Sequence, residues 1–194
     1  MSLSERLKSW STRDILILVA LAVVVAALTV VTSPLRATLE ASLGAYGNRI
    51  SMLSSTLITF IIPYLIRKPG ASIFGSLLTG LLQLPFSPFG VVSMVGFIIG
   101  GVIAEIMFAS GRYRNYTLRF MLILTILYNL ITLAFVWVPQ QVGSLNAVGI
   151  GVIVLMSMVI GALAGWITVM IGNGMLNSGV LQINQSMDEE IEAL

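Results

Sequence analysis

The chain has 194 residues, of which 57% are hydrophobic and only 9% charged, with a formal net charge of +2. Soluble domains carry about 25% charged residues, so a water-soluble globule is excluded, and a positive excess this small and scattered excludes a nucleic-acid-binding surface. The absence of His and Cys removes disulfides, thiolate chemistry, imidazole metal sites and the usual acid–base relay, which argues against an enzyme.

In chain order, residues 1–13 form a short basic lead with Arg6, Lys8 and Arg13. The first apolar run, Asp14–Val31, is longer than a signal-peptide core and ends in "TSPLRA", a poor small-x-small cleavage site, so it predicts a retained span. Ala22 and Ala26, one turn apart, allow close approach of another helix, either within this chain or in a partner. A second span, Ile50–Ile66, stops at Arg67-Lys68 and turns at Pro69-Gly70.

The third span, Ala71–Leu84, is short for crossing a bilayer. Its Ser72, Ser76, Thr79, Gly80 and Gln83 fall on one helical stripe, opposite Ile73, Phe74, Leu77, Leu81 and Leu84. Such a stripe faces other helices or a wet cavity. An uncharged "PFSPFG" turn follows, and any re-entrant stretch there has to be buried in protein.

The fourth span, Val91–Ala109, carries Gly96-x-x-x-Gly100 and a lone carboxylate, Glu105, which is expected to pair with Arg67, Lys68 or Arg112. The fifth, Leu118–Val138, places Tyr128-Asn129 mid-span, where an amide needs a partner, and Trp137 near its outer end as an interfacial anchor. The sixth, Ala147–Ile171, contains Gly161-x-x-x-Gly165, and residues 172–194 form a tail.

Cations orient the bundle, because cytoplasmic loops collect Lys and Arg. Arg6, Lys8, Arg13, Arg67, Lys68, Arg112, Arg114 and Arg119 fall on one side of these six spans, and only Arg36 and Arg49 on the other. The expectation is therefore an all-α, single six-transmembrane-helix bundle with both termini cytoplasmic. No G-x-x-x-x-G-K-[ST] loop occurs, so the chain itself binds no ATP in that way. An acidic proton relay, an arginine ladder and two similar halves are also missing from the sequence.

Three stretches, "IRKPGA", "GGVIAEIMFASGRYRNY" and "NSGVLQINQSM", resemble in order and spacing the YkoE-like S components of energy-coupling-factor (ECF) importers. The resemblance implies a substrate-binding subunit in a prokaryotic plasma membrane. Such a subunit captures a vitamin or similar micronutrient at the outer face and topples against a transmembrane coupling subunit driven by two cytoplasmic ATPases. In that family an Ala-x-x-x-Ala face on the first helix meets the coupling subunit, and Ala22 and Ala26 match it. Glu105 keeps its family position, whereas Ser76 and Gln83 stand where the family's third helix carries two carboxylates.

Three functions compete. In the first, thiamine, hydroxymethylpyrimidine or a related heterocycle is held by Gln83 and Asn129 and stacked on Trp137, Phe86 or Phe89, with Ser76, Thr79 and Tyr128 completing the site. In the second, a larger anionic ligand such as haem meets Arg36 and Arg49, with Met52, Met94 or Tyr46 as the available iron ligands. The third is a structural or assembly membrane protein without a ligand.

Overall fold

In a computed structural model the structure describes residues 10–87, 90–138 and 141–177. Six α-helices account for most of these: α1 Thr12–Leu43, α2 Ala45–Ile66, α3 Ala71–Gln83, α4 Val91–Ser110, α5 Leu118–Val136 and α6 Ala147–Asn177. Short 3-10 turns at Leu84–Phe86 and Val142–Ser144 follow α3 and α5, and no strand occurs among the described residues. Five of the helices are long and apolar enough to cross a membrane, and α3 is a shorter apolar helix.

Three boundaries differ from the sequence reading by five residues or more, one of them the end of the sixth helix, which runs past Ile171 to Asn177. The first helix does not stop at Val31 but runs to Leu43, through Pro34. Proline removes one backbone donor, and hydroxyls on either side turn back onto the helix: Thr32 donates to the Leu28 carbonyl at 2.9 Å and Thr38 to the Pro34 carbonyl at 2.9 Å. Ser11 and Asp14 close the other end in a capping box. The second helix starts at Ala45 rather than Ile50, directly after Gly44, whose positive φ of 55° makes the reversal. The two helices touch so closely there that a Cβ on Gly47 would lie 1.9 Å from the Leu39 carbonyl oxygen.

α2 is the central helix and packs against all five others. Its Phe60 and Tyr64 enter an aromatic core with Phe108, Met121, Leu124 and Tyr128, and its Ile62 joins Leu18, Ala22 and Val25 of α1. A third cluster of Leu133, Val142 and Ile153 fills the space near the end of α5. α5 and α6 meet at small residues, as the Gly161-x-x-x-Gly165 spacing predicts. A Cβ on Gly161 would sit 2.7 Å from Ile126 Cα, and one on Gly165 2.5 Å from Thr125 Oγ1.

Gly96-x-x-x-Gly100 behaves differently. The tight α3–α4 approach is at Gly101, whose Cβ would lie 2.7 Å from Ser76 Cβ. Gly100 makes room for the Tyr128 hydroxyl, and Gly96 has nothing within 4 Å of its Cβ position.

The basic end of the bundle is tied by polar contacts. Lys68 pairs with Asp14, the Arg67 guanidinium lies 5.4 Å from the Tyr64 ring centre and 4.8 Å from that of Tyr116, and Trp10 Nε1 donates to the Pro69 carbonyl. The expected cation partner of Glu105 is replaced by other donors. Its carboxylate accepts from the Gly70 N–H at 2.5 Å, the Ser72 N–H at 3.1 Å and the Tyr113 hydroxyl at 2.5 Å. The free N–H groups at the start of α3 are well suited to an anion, so the carboxylate caps that helix across the bundle. Burial, opposed by Arg67 and reinforced by Glu105, pushes the Tyr116 hydroxyl up to about 12. Burial and the Glu105 carboxylate raise Tyr113 as well, so both phenols stay protonated near neutral pH.

Candidate functional site

At the end opposite Arg67 and Lys68, a cavity of about 640 Å³ opens between α1, α2, α4 and α5, beside the end of α3. It exists because α4 touches α5 only sparsely and because Gly96 and Gly100 leave the α4 face without side chains. Its wall mixes hydroxyls such as Thr29, Ser55 and Thr132 with the aromatic rings of Phe97 and Phe135 and the Tyr128 side chain. Gln83 lies at one side of it, 7% exposed, and its Nε2 has no hydrogen-bond partner among the described residues.

Charge enters the wall from α1. Arg36 and Glu40, one turn apart, form an ion pair with Nε–Oε1 at 3.0 Å, and Arg36 Nη1 donates to Ser55 Oγ at 3.0 Å. The same Glu40 oxygen accepts from Asn48 Nδ2 at 3.1 Å and Ser51 Oγ at 3.2 Å. Sequence reading missed Glu40 because it lies beyond the expected end of the first span. Its signal was the i, i+4 spacing from Arg36, which is legible once the helix is known to continue.

The candidate residues divide by their place. Gln83, Tyr128, Phe86 and Arg36 line the cavity, and so does Met52. Ser76 and Thr79 instead border a small space of about 10 Å³ between α2, α3 and α4, where the Ser72 Oγ and Thr79 Oγ1 have no hydrogen-bond partner. That space has room for about one water molecule.

Asn129 is fully buried behind the wall, donating from Nδ2 to Thr56 Oγ1 at 3.0 Å and to the Thr125 carbonyl at 2.9 Å. These bonds satisfy the donor side of the mid-membrane amide, while its Oδ1 has no hydrogen-bond partner among the described residues. Arg49 is 1% exposed and donates to Asn48 Oδ1 and the Asn129 carbonyl, so it backs the wall rather than forming it. Trp137 packs on the Leu133–Val142–Ile153 cluster, away from the cavity, because the chain turns back at Val142–Ser144 and covers it. Met94 and Tyr46 do not line the cavity either. Phe89 lies outside the described residues.

Ala22 and Ala26 face inward. At 0% and 5% exposure they are interior, and Ala22 packs in a cluster with Ile62 of α2 and Leu78 of α3. Small residues there let α1 approach its own neighbours, so in this structure they present no surface to a partner. The exposed side of α1 includes Leu16, Val19, Val23, Val24 and Leu28.

A family model described as "ABC-type cobalt transport system, permease component" matches residues 13–131. No curated protein sequence matches the chain. Among solved structures, one reported as "Crystal structure of an S-component of ECF transporter" aligns with a TM-score of 0.79 at 19% identity, over 95% of this chain and 96% of that chain. At that identity the likeness is one of fold.

Proposed function

The chain belongs to the family of permease components of ABC-type cobalt transport systems, and from that premise we propose that it is the substrate-capturing subunit of an ECF-type importer. Its substrate is a small organic micronutrient of the thiamine or hydroxymethylpyrimidine kind, held in the cavity beside Gln83. The fold it shares with an ECF S component supports the role. The observation that carries the reading is the Gln83 amide, almost fully buried at the cavity with an unpartnered donor. Buried amides are otherwise bonded, and a ligand carrying an acceptor satisfies this one.

Size and chemistry agree with an organic ligand. Small-molecule sites occupy roughly 300 to 1,000 Å³ and combine apolar walls with a few convergent polar groups, as this cavity does. A bare cobalt ion suits it poorly. Divalent ions of that row favour imidazole, thiolate or several carboxylates, and the sequence has no His or Cys, with Glu40 the one carboxylate among the described lining residues. Haem is also less well served, since Met52 is the only one of its three candidate ligands at the wall.

Energy comes from outside the chain, through a transmembrane coupling subunit and two cytoplasmic ATPase subunits. The basic end, with Arg67, Lys68 and Arg112, faces the cytoplasm by the positive-inside rule, and the cavity then opens outward. Cysteine placed at Ser87, beside the cavity mouth, is expected to react with an impermeant thiol reagent in intact cells; labelling only after lysis overturns this orientation.

Gln83→Leu tests the site. Leucine fits the apolar surroundings, so the protein is expected to fold normally while substrate affinity falls about 5- to 150-fold, the equivalent of about 1 to 3 kcal/mol for one lost buried hydrogen bond. Calorimetric titration of the purified subunit measures this, and unchanged affinity removes Gln83 from the site.

A further inference from the structure

The charges around the cavity do not balance. Among the described residues this half of the bundle holds two guanidinium groups, Arg36 and Arg49, and one carboxylate, Glu40. The other described carboxylates, Asp14 and Glu105, are engaged at the opposite end by Lys68 and by the start of α3. Arg36 pairs with Glu40 directly. Arg49, 1% exposed, reaches it only through Asn48, which accepts from Arg49 Nη2 at 2.5 Å and donates to Glu40 Oε1 at 3.1 Å. One carboxylate therefore serves two cations, of which Arg49 is buried, where an uncompensated charge is costly, while the Arg36 and Glu40 side chains are 38% and 29% exposed. Arg36 and Glu40 both line the cavity wall, Arg49 does not, and Arg36 Nη2 makes no hydrogen bond among the described residues.

We infer that the substrate supplies the missing negative charge: it carries a carboxylate or phosphate group that docks on Arg36 inside the cavity, while its neutral part extends toward Gln83. A guanidinium still has donors to offer after pairing with Glu40, and its planar fork matches the oxygens of either anion. Ser55, already bonded to Nη1, holds the fork in place. This inference rests on the cavity being the substrate site. It moves the ligand away from free thiamine and hydroxymethylpyrimidine, which carry no anionic group, to a related micronutrient bearing a carboxylate or phosphate, and disfavours a purely cationic one.

The test uses the full chain purified from its native membrane, as wild type, Arg36→Gln and Arg36→Lys, with the melting temperature of each recorded. Bound small molecules are released by denaturation and partitioned between water and chloroform, and the aqueous phase is resolved by anion exchange and mass spectrometry. The expected result is an aqueous molecule retained on the anion exchanger. Its recovery should fall about 30-fold or more in Arg36→Gln and by less in Arg36→Lys, which keeps the positive charge at the wall.

A neutral or cationic aqueous molecule overturns the inference but leaves the cavity's binding role intact. So does an anionic phospholipid found alone in the chloroform phase. Equal recovery from wild type and a normally melting Arg36→Gln removes Arg36 as the docking group, and a wild-type chain that carries nothing counts against the proposed function as well.

Discussion

Gly96→Leu is expected to weaken substrate binding about 5- to 150-fold while leaving a folded, monodisperse protein. Gly96 belongs to the cavity wall, and nothing lies within 4 Å of the position its Cβ would take. A leucine there meets no protein atom at its first carbon and extends into the ligand's space. Forcing extra methylenes into a filled site costs about 1 to 3 kcal/mol, which is about 5- to 150-fold in affinity, and a rigid ring that cannot shift lies at the upper end. Calorimetric titration reads the affinity and thermal unfolding reads the fold. Full affinity in this variant places the substrate elsewhere. The neighbouring Gly100 provides a contrast, since its Cβ would come 2.8 Å from the Tyr128 hydroxyl and displace protein instead of ligand.

Gly161→Leu has the opposite signature, with the fold failing first. The added Cβ would meet Ile126 Cα at 2.7 Å and the Thr125 carbonyl oxygen at 2.8 Å. Both are backbone atoms, so no rotamer change relieves the clash and α5 must move away from α6. Helices in lipid associate through such close packing, and the expected cost is about 3 kcal/mol or more. For a protein of this size that lowers the unfolding midpoint by roughly 6 to 12 °C. Size-exclusion profiles after graded heating measure the shift, and an unchanged midpoint shows that α5 and α6 are not held at this glycine.

Much of the helical framework was legible in the sequence because lipid imposes long apolar runs. α3 and α4 emerge within a residue of their predicted bounds. The continuation of α1 was not legible, since Pro34, Arg36 and Glu40 read as a polar loop, whereas the structure keeps the helix intact by turning threonine hydroxyls onto its carbonyls. That lapse concealed Glu40 and with it the charge cluster of the cavity.

Helical periodicity identified the α3 stripe but not which neighbour each member meets. Gln83 reaches the large cavity, while Ser76 and Thr79 face a pocket scarcely larger than a water molecule. Arg49 donates to the Asn129 backbone carbonyl, while the Asn129 amide itself donates to Thr56 of α2. A single chain position cannot reveal such a pairing across 80 residues.

The unequal lengths of the helices also bear on the lipid around them. At 1.5 Å per residue, the 32 residues of α1 reach about 48 Å, and the 13 of α3 only about 20 Å. A hydrocarbon slab about 30 Å thick cannot match both, so the long helix tilts or protrudes and the leaflet thins beside the short one. Because α3 starts at the capped basic end, this deficit falls at its far end, next to Gln83 and the cavity. Headgroups and water there sit deeper than the nominal membrane surface, which shortens a solute's way in and makes bilayer thickness a determinant of how readily the mouth is reached.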